Sequence, residues 1–135
     1  MVCLDSTFVI DILKGTDKAK QLEEDIDNRG EEIFITSPAI IEIVRGLYLK
    51  SNIKNLKFEE KEKTLKLINS LSILDLDKNS AILAAKIEAN LRNNGEIIDI
   101  EDIMIAAIAI NNNETLVTRN KEHFERIKDL KIEIY

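Results

Sequence analysis

The stretch Val2-Cys3-Leu4-Asp5-Ser6-Thr7-Phe8-Val9-Ile10-Asp11-Ile12-Leu13-Lys14-Gly15 decides the fold. Val2-Cys3-Leu4 reads as a short buried strand. Ser6 stands where a helix cap belongs, the helix runs to about Lys14, and Gly15 is its C-terminal stop. A strand that feeds straight into a helix is the first half of a β-α unit.

The same alternation continues outward. Thr16 can cap a second helix whose face is Ala19, Leu22 and Ile26, closed by Asn28-Arg29-Gly30. Ile33-Phe34-Ile35-Thr36 is β-branched and aromatic, hence a strand. Ser37-Pro38 opens a helix with Ser as cap and Pro at its first position, and Ile40, Ile41, Val44, Leu47 and Tyr48 form its apolar set. The charge-rich Lys57 to Lys66 looks like a linker. Yet Glu59 and Lys63 are four apart, as are Glu62 and Lys66, and Phe58, Leu65, Ile68 and Leu71 recur at helical spacing. A solvated helix with one buried face is expected there. Ile73-Leu74-Asp75-Leu76 is a third strand, and Asp77 begins a helix to about Arg92, ended by Asn93-Asn94-Gly95. A helix over Asp102 to Ile110 follows, then strands at Thr115 to Thr118 and Lys131 to Tyr135. The order β-α-α-β-α-α-β-α-α-β-α-β predicts an α/β fold, a mainly parallel sheet of about five strands flanked by helices, with residues 1–135 as one domain. The helix at Ile103 to Ile110 is apolar on every side and belongs deep in that domain.

Composition narrows the chemistry. The 135 residues are 44% hydrophobic and 33% charged, with one Pro and four Gly, which excludes collagen-like and disordered classes. One Cys permits no internal disulfide and no Cys-rich zinc site, and one His excludes His-dominated metal sites. An acid at Asp5 is not the start of a signal peptide, and the longest apolar run, Ile103 to Ile110, is too short to span a membrane. A cytoplasmic protein with no membrane partner is expected. The net charge of −6 argues against electrostatic coating of a nucleic acid. A nucleic-acid partner would need the acids screened, and a divalent cation does that.

In an open parallel sheet, ligands bind outside the carboxyl ends of the strands. Asp5 follows the first strand there, and Thr118, Arg119 and Asn120 follow the strand at Thr115. Asp99, Glu101 and Asp102 precede the apolar helix. Glu42 lies among Ile40, Ile41, Val44 and Leu47, with Gly46 one turn on leaving space beside it. Each has a plainer reading. Asp5 can cap the first helix, acids at a helix start complement its dipole, and Glu42 can pair with Arg45 or sit on an exposed flank. Together, three acids from three elements would repel one another unless a cation joined them. Mg2+ takes oxygen ligands and binds through carboxylates plus substrate phosphate. Such an ion can activate water, so the inferred reaction class is metal-assisted phosphodiester hydrolysis.

Four blocks carry a resemblance. They are Leu4 to Gly15, Thr36 to Gly46, Asp102-Ile103-Met104-Ile105-Ala106-Ala107, and Leu116-Val117-Thr118-Arg119-Asn120-Lys121-Glu122-His123-Phe124. In this order and chain length they resemble a PIN-domain ribonuclease, and within that group the VapC-type toxin of a VapBC toxin–antitoxin pair. The resemblance implies a PIN-like three-layer fold and an endoribonuclease acting with Mg2+ or Mn2+. It implies that Asp5, Glu42 and Asp102 are metal-binding catalytic acids, with Ser6, Thr118 and Asn120 as supporting polar groups and Asp99 and Glu101 further out. It also implies RNA as substrate, a homodimer, and an antitoxin covering the acidic pocket and a neighbouring groove, offered here by Phe8 to Leu13 and Ile40 to Leu49. The family's fourth acid matches His123, a supporting residue here. His123 could face solvent, cap a helix or contact the scissile phosphate, and Glu122 could shift in as the missing acid. With a His in that place, Mn2+ is expected to be favoured over Mg2+ more than in a four-acid relative.

Two other readings compete. A receiver-type phosphoacceptor would need paired acids after the first strand, where Asp5 stands alone, and Asp75 and Lys121 are poor stand-ins for its other residues. A PIN-like binding module, catalytically weakened by His123, is the alternative. Lys14, Arg45, Lys50, Arg92 and Arg119 are the cations that could guide RNA. With four Phe, two Tyr and no Trp there is no aromatic stacking platform, so recognition is expected to run through phosphate, metal and RNA shape.

Overall fold

The computed structural model describes residues 1–51 and 58–135, with the side chains of residues 50, 51 and 58 left aside. Lys57 and the side chains of Lys50 and Phe58, which the sequence reading used, therefore lie outside the described residues. The element order is β1 (Val2–Leu4), α1 (Ser6–Lys14), α2 (Asp17–Asn28), β2 (Ile33–Thr36), α3 (Ser37–Ser51), α4 (Phe58–Ser70), β3 (Ser72–Leu74), α5 (Lys78–Asn93), α6 (Ile100–Asn111), β4 (Thr115–Thr118), α7 (Lys121–Phe124) and β5 (Lys131–Ile134). This is the alternation expected from sequence. The sheet is parallel throughout, in the order β3-β2-β1-β4-β5. The chain runs from β1 outward to β2 and β3, then crosses back to β4 and β5. The order therefore reverses between β1 and β4, and a crevice opens at their carboxyl ends.

β1 is the central strand, and its three apolar residues are buried. That is why so short a run still reads as a strand: both faces are covered. α6 is buried over most of its surface and packs against α5, α3 and β4. It brings its first turn, with Asp102, to the crevice.

Two helix starts fall one residue earlier than the sequence reading placed their caps. Asp5 rather than Ser6 is the cap of α1, with Asp5 Oδ1 accepting from Ser6 N at 2.8 Å. Thr36 rather than Ser37 caps α3, its Oγ1 accepting from Ala39 N at 3.2 Å, while Ser37 Oγ accepts from Leu76 N. In both places the last turn of strand leads straight into helix, so the residue at the junction takes the capping role. Gly15 ends α1 with φ of 72°, a conformation that costs a glycine nothing. β3 lies one residue earlier than expected and stops at Leu74. In α4 the inward face is Thr64, Ile68 and the partly buried Leu67, with Leu71 just past the helix end packed against the same core, and Leu65 is exposed because it stands off that stripe. Its expected Glu59–Lys63 and Glu62–Lys66 pairs do not form among the described residues; Lys63 Nζ reaches Leu13 O instead.

Candidate metal centre

Three acids meet in the crevice. Asp5, Glu42 and Asp102 each present a carboxylate oxygen, and these oxygens lie within 4.8 Å of one another. Asp5 leaves the central strand, Glu42 comes from α3, and Asp102 from the first turn of α6.

Asp5 is 1% exposed and fully partnered. Oδ1 accepts from Ser6 N, and Oδ2 accepts from Thr7 Oγ1 and Thr118 Oγ1, each at 2.7 Å. Thr118 Oγ1 also accepts from Asn120 N at 3.0 Å, so the end of β4 is knitted to the end of β1. Thr7 was not among the candidates. A hydroxyl two residues after a capping acid was the available signal.

Asp102 is 7% exposed, and its Oδ2 lies 2.8 Å from His123 Nδ1. Asn120 Nδ2 lies 2.7 Å from the same ring nitrogen. His123 thus faces Asp102 and does not join the three-acid group. Glu122 is exposed on α7, and the group holds no fourth acid among the described residues. Asp99 is exposed at the head of α6 and Glu101 is turned to Arg45 at 2.7 Å, so neither enters the group. That pair also removes Arg45 as the partner of Glu42.

Glu42 is the carboxylate left over. Its Oε2 is buried with no hydrogen-bond partner among the described residues. Burial pushes its carboxyl above the usual range. The Ser6 hydroxyl opposes the rise, and the charges of Asp102, Asp5 and Glu101 add to it. Asp102 is raised in the same way. Burial is the largest cause, the His123 hydrogen bond opposes it, and the Asp5 charge adds. A buried oxygen without a hydrogen-bond partner among like charges is one that a bound cation would satisfy. The donors are all oxygen, which fits a hard divalent ion.

Beside Glu42 a groove of about 330 Å³ opens between α1, α3 and α4, lined by Ile10, Leu13, Ile43, Gly46 and Leu47 among others. Gly46 leaves open space there, as its spacing from Glu42 suggested. Phe8, expected on that face, is core instead.

The chain matches the PIN domain family over residues 2–130. It is 32% identical over 135 residues to Ribonuclease VapC1 of Methanocaldococcus jannaschii, covering 99% of this chain and 86% of that one. Its fold superposes on the crystal structure of VapBC2 from Rickettsia felis bound to a DNA fragment from their promoter. There the TM-score is 0.85 and the identity 27%, over 100% of this chain and 99% of that one. DNA-bound VapBC from Salmonella typhimurium gives 0.83 and 28%, over 99% and 98%. On sequence and fold together, the chain belongs to the PIN-domain family and, within it, to the VapC ribonucleases.

Proposed function

We propose that this chain is an endoribonuclease toxin that cuts RNA phosphodiester bonds with Mg2+ or Mn2+ at Asp5, Glu42 and Asp102, and that a cognate antitoxin holds it in check. The observation that carries the reading is the three-acid group with its orphaned Glu42 oxygen. When bound, a divalent ion there supplies an activated water and stabilises charge developing on the phosphate. The chain's own residues hold the ligands in place. Thr7, Thr118 and the Ser6 N–H fix Asp5 so that its rotamer does not wander. His123, steadied by Asn120, fixes Asp102 from the outer side. With His123 engaged there, the donors left to the ion are carboxylate oxygens, which suit Mg2+ and Mn2+ alike.

The relatives crystallised as VapBC complexes supply the antitoxin part of the reading, and the groove beside Glu42 is the place for an antitoxin segment. A homodimer, a cytoplasmic location and a single domain over residues 1–135 complete it. No helix among the described residues is long and apolar enough to cross a membrane.

The test is cleavage of a mixed pool of structured RNA in EDTA, Mg2+ or Mn2+, with wild type beside Asp102→Asn. Cleavage by wild type alone, abolished by EDTA, is the expected result. Intact RNA under every metal, with no antitoxin found by mass spectrometry of the purified protein, would leave the catalytically weakened binding module as the better reading.

A further inference from the structure

Asp11 interrupts the apolar run Val9-Ile10-Asp11-Ile12-Leu13 and is only 4% exposed. A carboxylate so enclosed is costly unless it is paired and hydrogen-bonded. Its partners come from far along the chain. Arg119 Nη1 donates to Oδ1 at 3.0 Å and to Oδ2 at 2.8 Å, and the Tyr135 hydroxyl donates to Oδ2 at 3.0 Å. Tyr135 is itself fixed, its ring edge-on to Phe8 with centroids 4.9 Å apart.

Arg119 stands between two residues of the metal centre. Thr118 before it holds Asp5, and Asn120 after it holds His123. The manner of its pairing is telling. Arg29 grips Glu133 with two nitrogens on two oxygens, at 2.9 and 3.0 Å, and adds Nε on Glu31. That is a closed structural pair. Arg119 uses Nη1 alone. Its Nε and Nη2 make no hydrogen bond among the described residues, and its side chain is 53% exposed. A guanidinium anchored by one nitrogen keeps its other donors for a second anion. Other cations singled out from sequence are engaged, Arg45 by Glu101 and Arg92 by Glu88.

We propose that Arg119 is a substrate-binding residue whose free Nε and Nη2 take an RNA backbone phosphate beside the metal centre, and that Asp11 and Tyr135 are positioning residues that aim it. The inference rests on the reading of RNA as the substrate. It answers a difficulty in that reading. The chain carries a net charge of −6 and three acids line the site, so an RNA backbone is repelled where it must approach. A guanidinium anchored on Asp11, one residue from both Thr118 and Asn120, would offset this locally, with part of its ordering complete before RNA arrives.

The experiment is fluorescence anisotropy with a labelled, mixed-sequence single-stranded oligoribonucleotide in EDTA, over a series of KCl concentrations. For wild type, log Kd should rise linearly with log salt. Arg119→Gln should lower that slope by about 0.7, the share of one phosphate contact on a single strand, and weaken binding several-fold at low salt. Arg92→Gln removes the same charge at the end of α5 and should leave the slope unchanged. Asp11→Asn makes the protein less acidic, so general electrostatics alone would tighten binding to a polyanion. The positioning role requires it to weaken binding. Tyr135→Phe keeps the ring against Phe8, deletes only the hydroxyl, and should weaken binding less; it carries the positioning test if Asp11→Asn does not fold. A wild-type slope in Arg119→Gln overturns the proposal alone. So does tighter binding by Asp11→Asn or unchanged binding by Tyr135→Phe. A wild type with no salt-dependent RNA binding overturns the RNA reading and this inference together.

Discussion

The sheet has acids at both ends of its strands, and the two ends treat them differently. At the amino ends of β1, β2 and β4, Glu31 and Glu114 flank the Met1 amine at 3.2 and 3.9 Å, and Arg29 links Glu31 onward to Glu133 in β5. Glu31, Glu114 and Glu133 each have a cation. At the carboxyl ends, Asp5, Glu42 and Asp102 crowd together with hydroxyls, backbone and an imidazole, and among the described residues no lysine or arginine is bonded to them. One end is built to be stable as it stands. The other crowds like charges together, the pattern of a candidate functional site.

The contrast is broken most strongly at Glu42. Replacing it with Gln keeps the shape but puts an amide where a ligand oxygen is needed. Metal-assisted stabilisation of several kcal/mol is then lost, and RNA cleavage should fall by about 10³-fold, read from initial rates at saturating metal. A variant retaining near wild-type rates would remove Glu42 from the site. The same variant should fail a binding test that does not depend on turnover. At free Mn2+ about 100 times its dissociation constant, wild type should gain about 2.7 kcal/mol, visible as a rise of several degrees in Tm. Glu42→Gln should gain much less. Equal gains would place the ion elsewhere.

Acid titration sharpens the difference without metal. Glu42 and Asp102 hold their protons more tightly in the folded protein than in the unfolded chain, because both are buried and both feel the charge of Asp5. At these two groups the native state therefore binds more protons, and their contribution to stability rises as pH falls from neutral into the ordinary carboxylate range. Glu101 has the opposite sign. Its bond to Arg45 lowers its carboxyl, so its contribution is present above the unfolded value and fades as pH falls through the folded one. In EDTA, the Tm of wild type minus that of Glu42→Gln should thus increase as pH drops, while wild type minus Glu101→Gln should decrease. A flat first difference would mean that the crowding is relieved without protons or metal.

Much of this arrangement was legible before any coordinates. β2 and β4 lie where their β-branched runs placed them, and a charge among apolar residues drew attention to Glu42. The cap of α1 was less readable because Asp5 and Ser6 are adjacent and both can cap; only the end of β1 decides between them. Asp99, expected further out than Asp102, is the residue before the first turn of α6 and stays exposed, whereas Asp102 is buried within that turn. The Asp102–His123 contact and the Asp11–Arg119 pair join residues 21 and 108 apart, and no local pattern encodes such a distance. Asp11 carries the same signal as Glu42, an acid in an apolar run inside a helix, but its partners Arg119 and Tyr135 lie too far along the chain for a local pattern to show.

The smallest effect belongs to the compensated acids. Glu133 is half of a fork-to-fork pair with Arg29, exposed enough that water screens much of the attraction. Glu133→Gln should therefore lower Tm by only about 2 °C, and the loss should shrink in high salt as the pair is screened. The sign is the informative part. Neutralising Glu133 destabilises the protein, whereas neutralising Glu42 in the metal-free protein should stabilise it, because one site loses an attraction and the other loses a repulsion. Two melting curves in EDTA at neutral pH decide the matter. If both substitutions shift Tm downward, then Glu42 is compensated in the resting protein, and the case for a cation at the carboxyl ends of the strands loses its electrostatic ground.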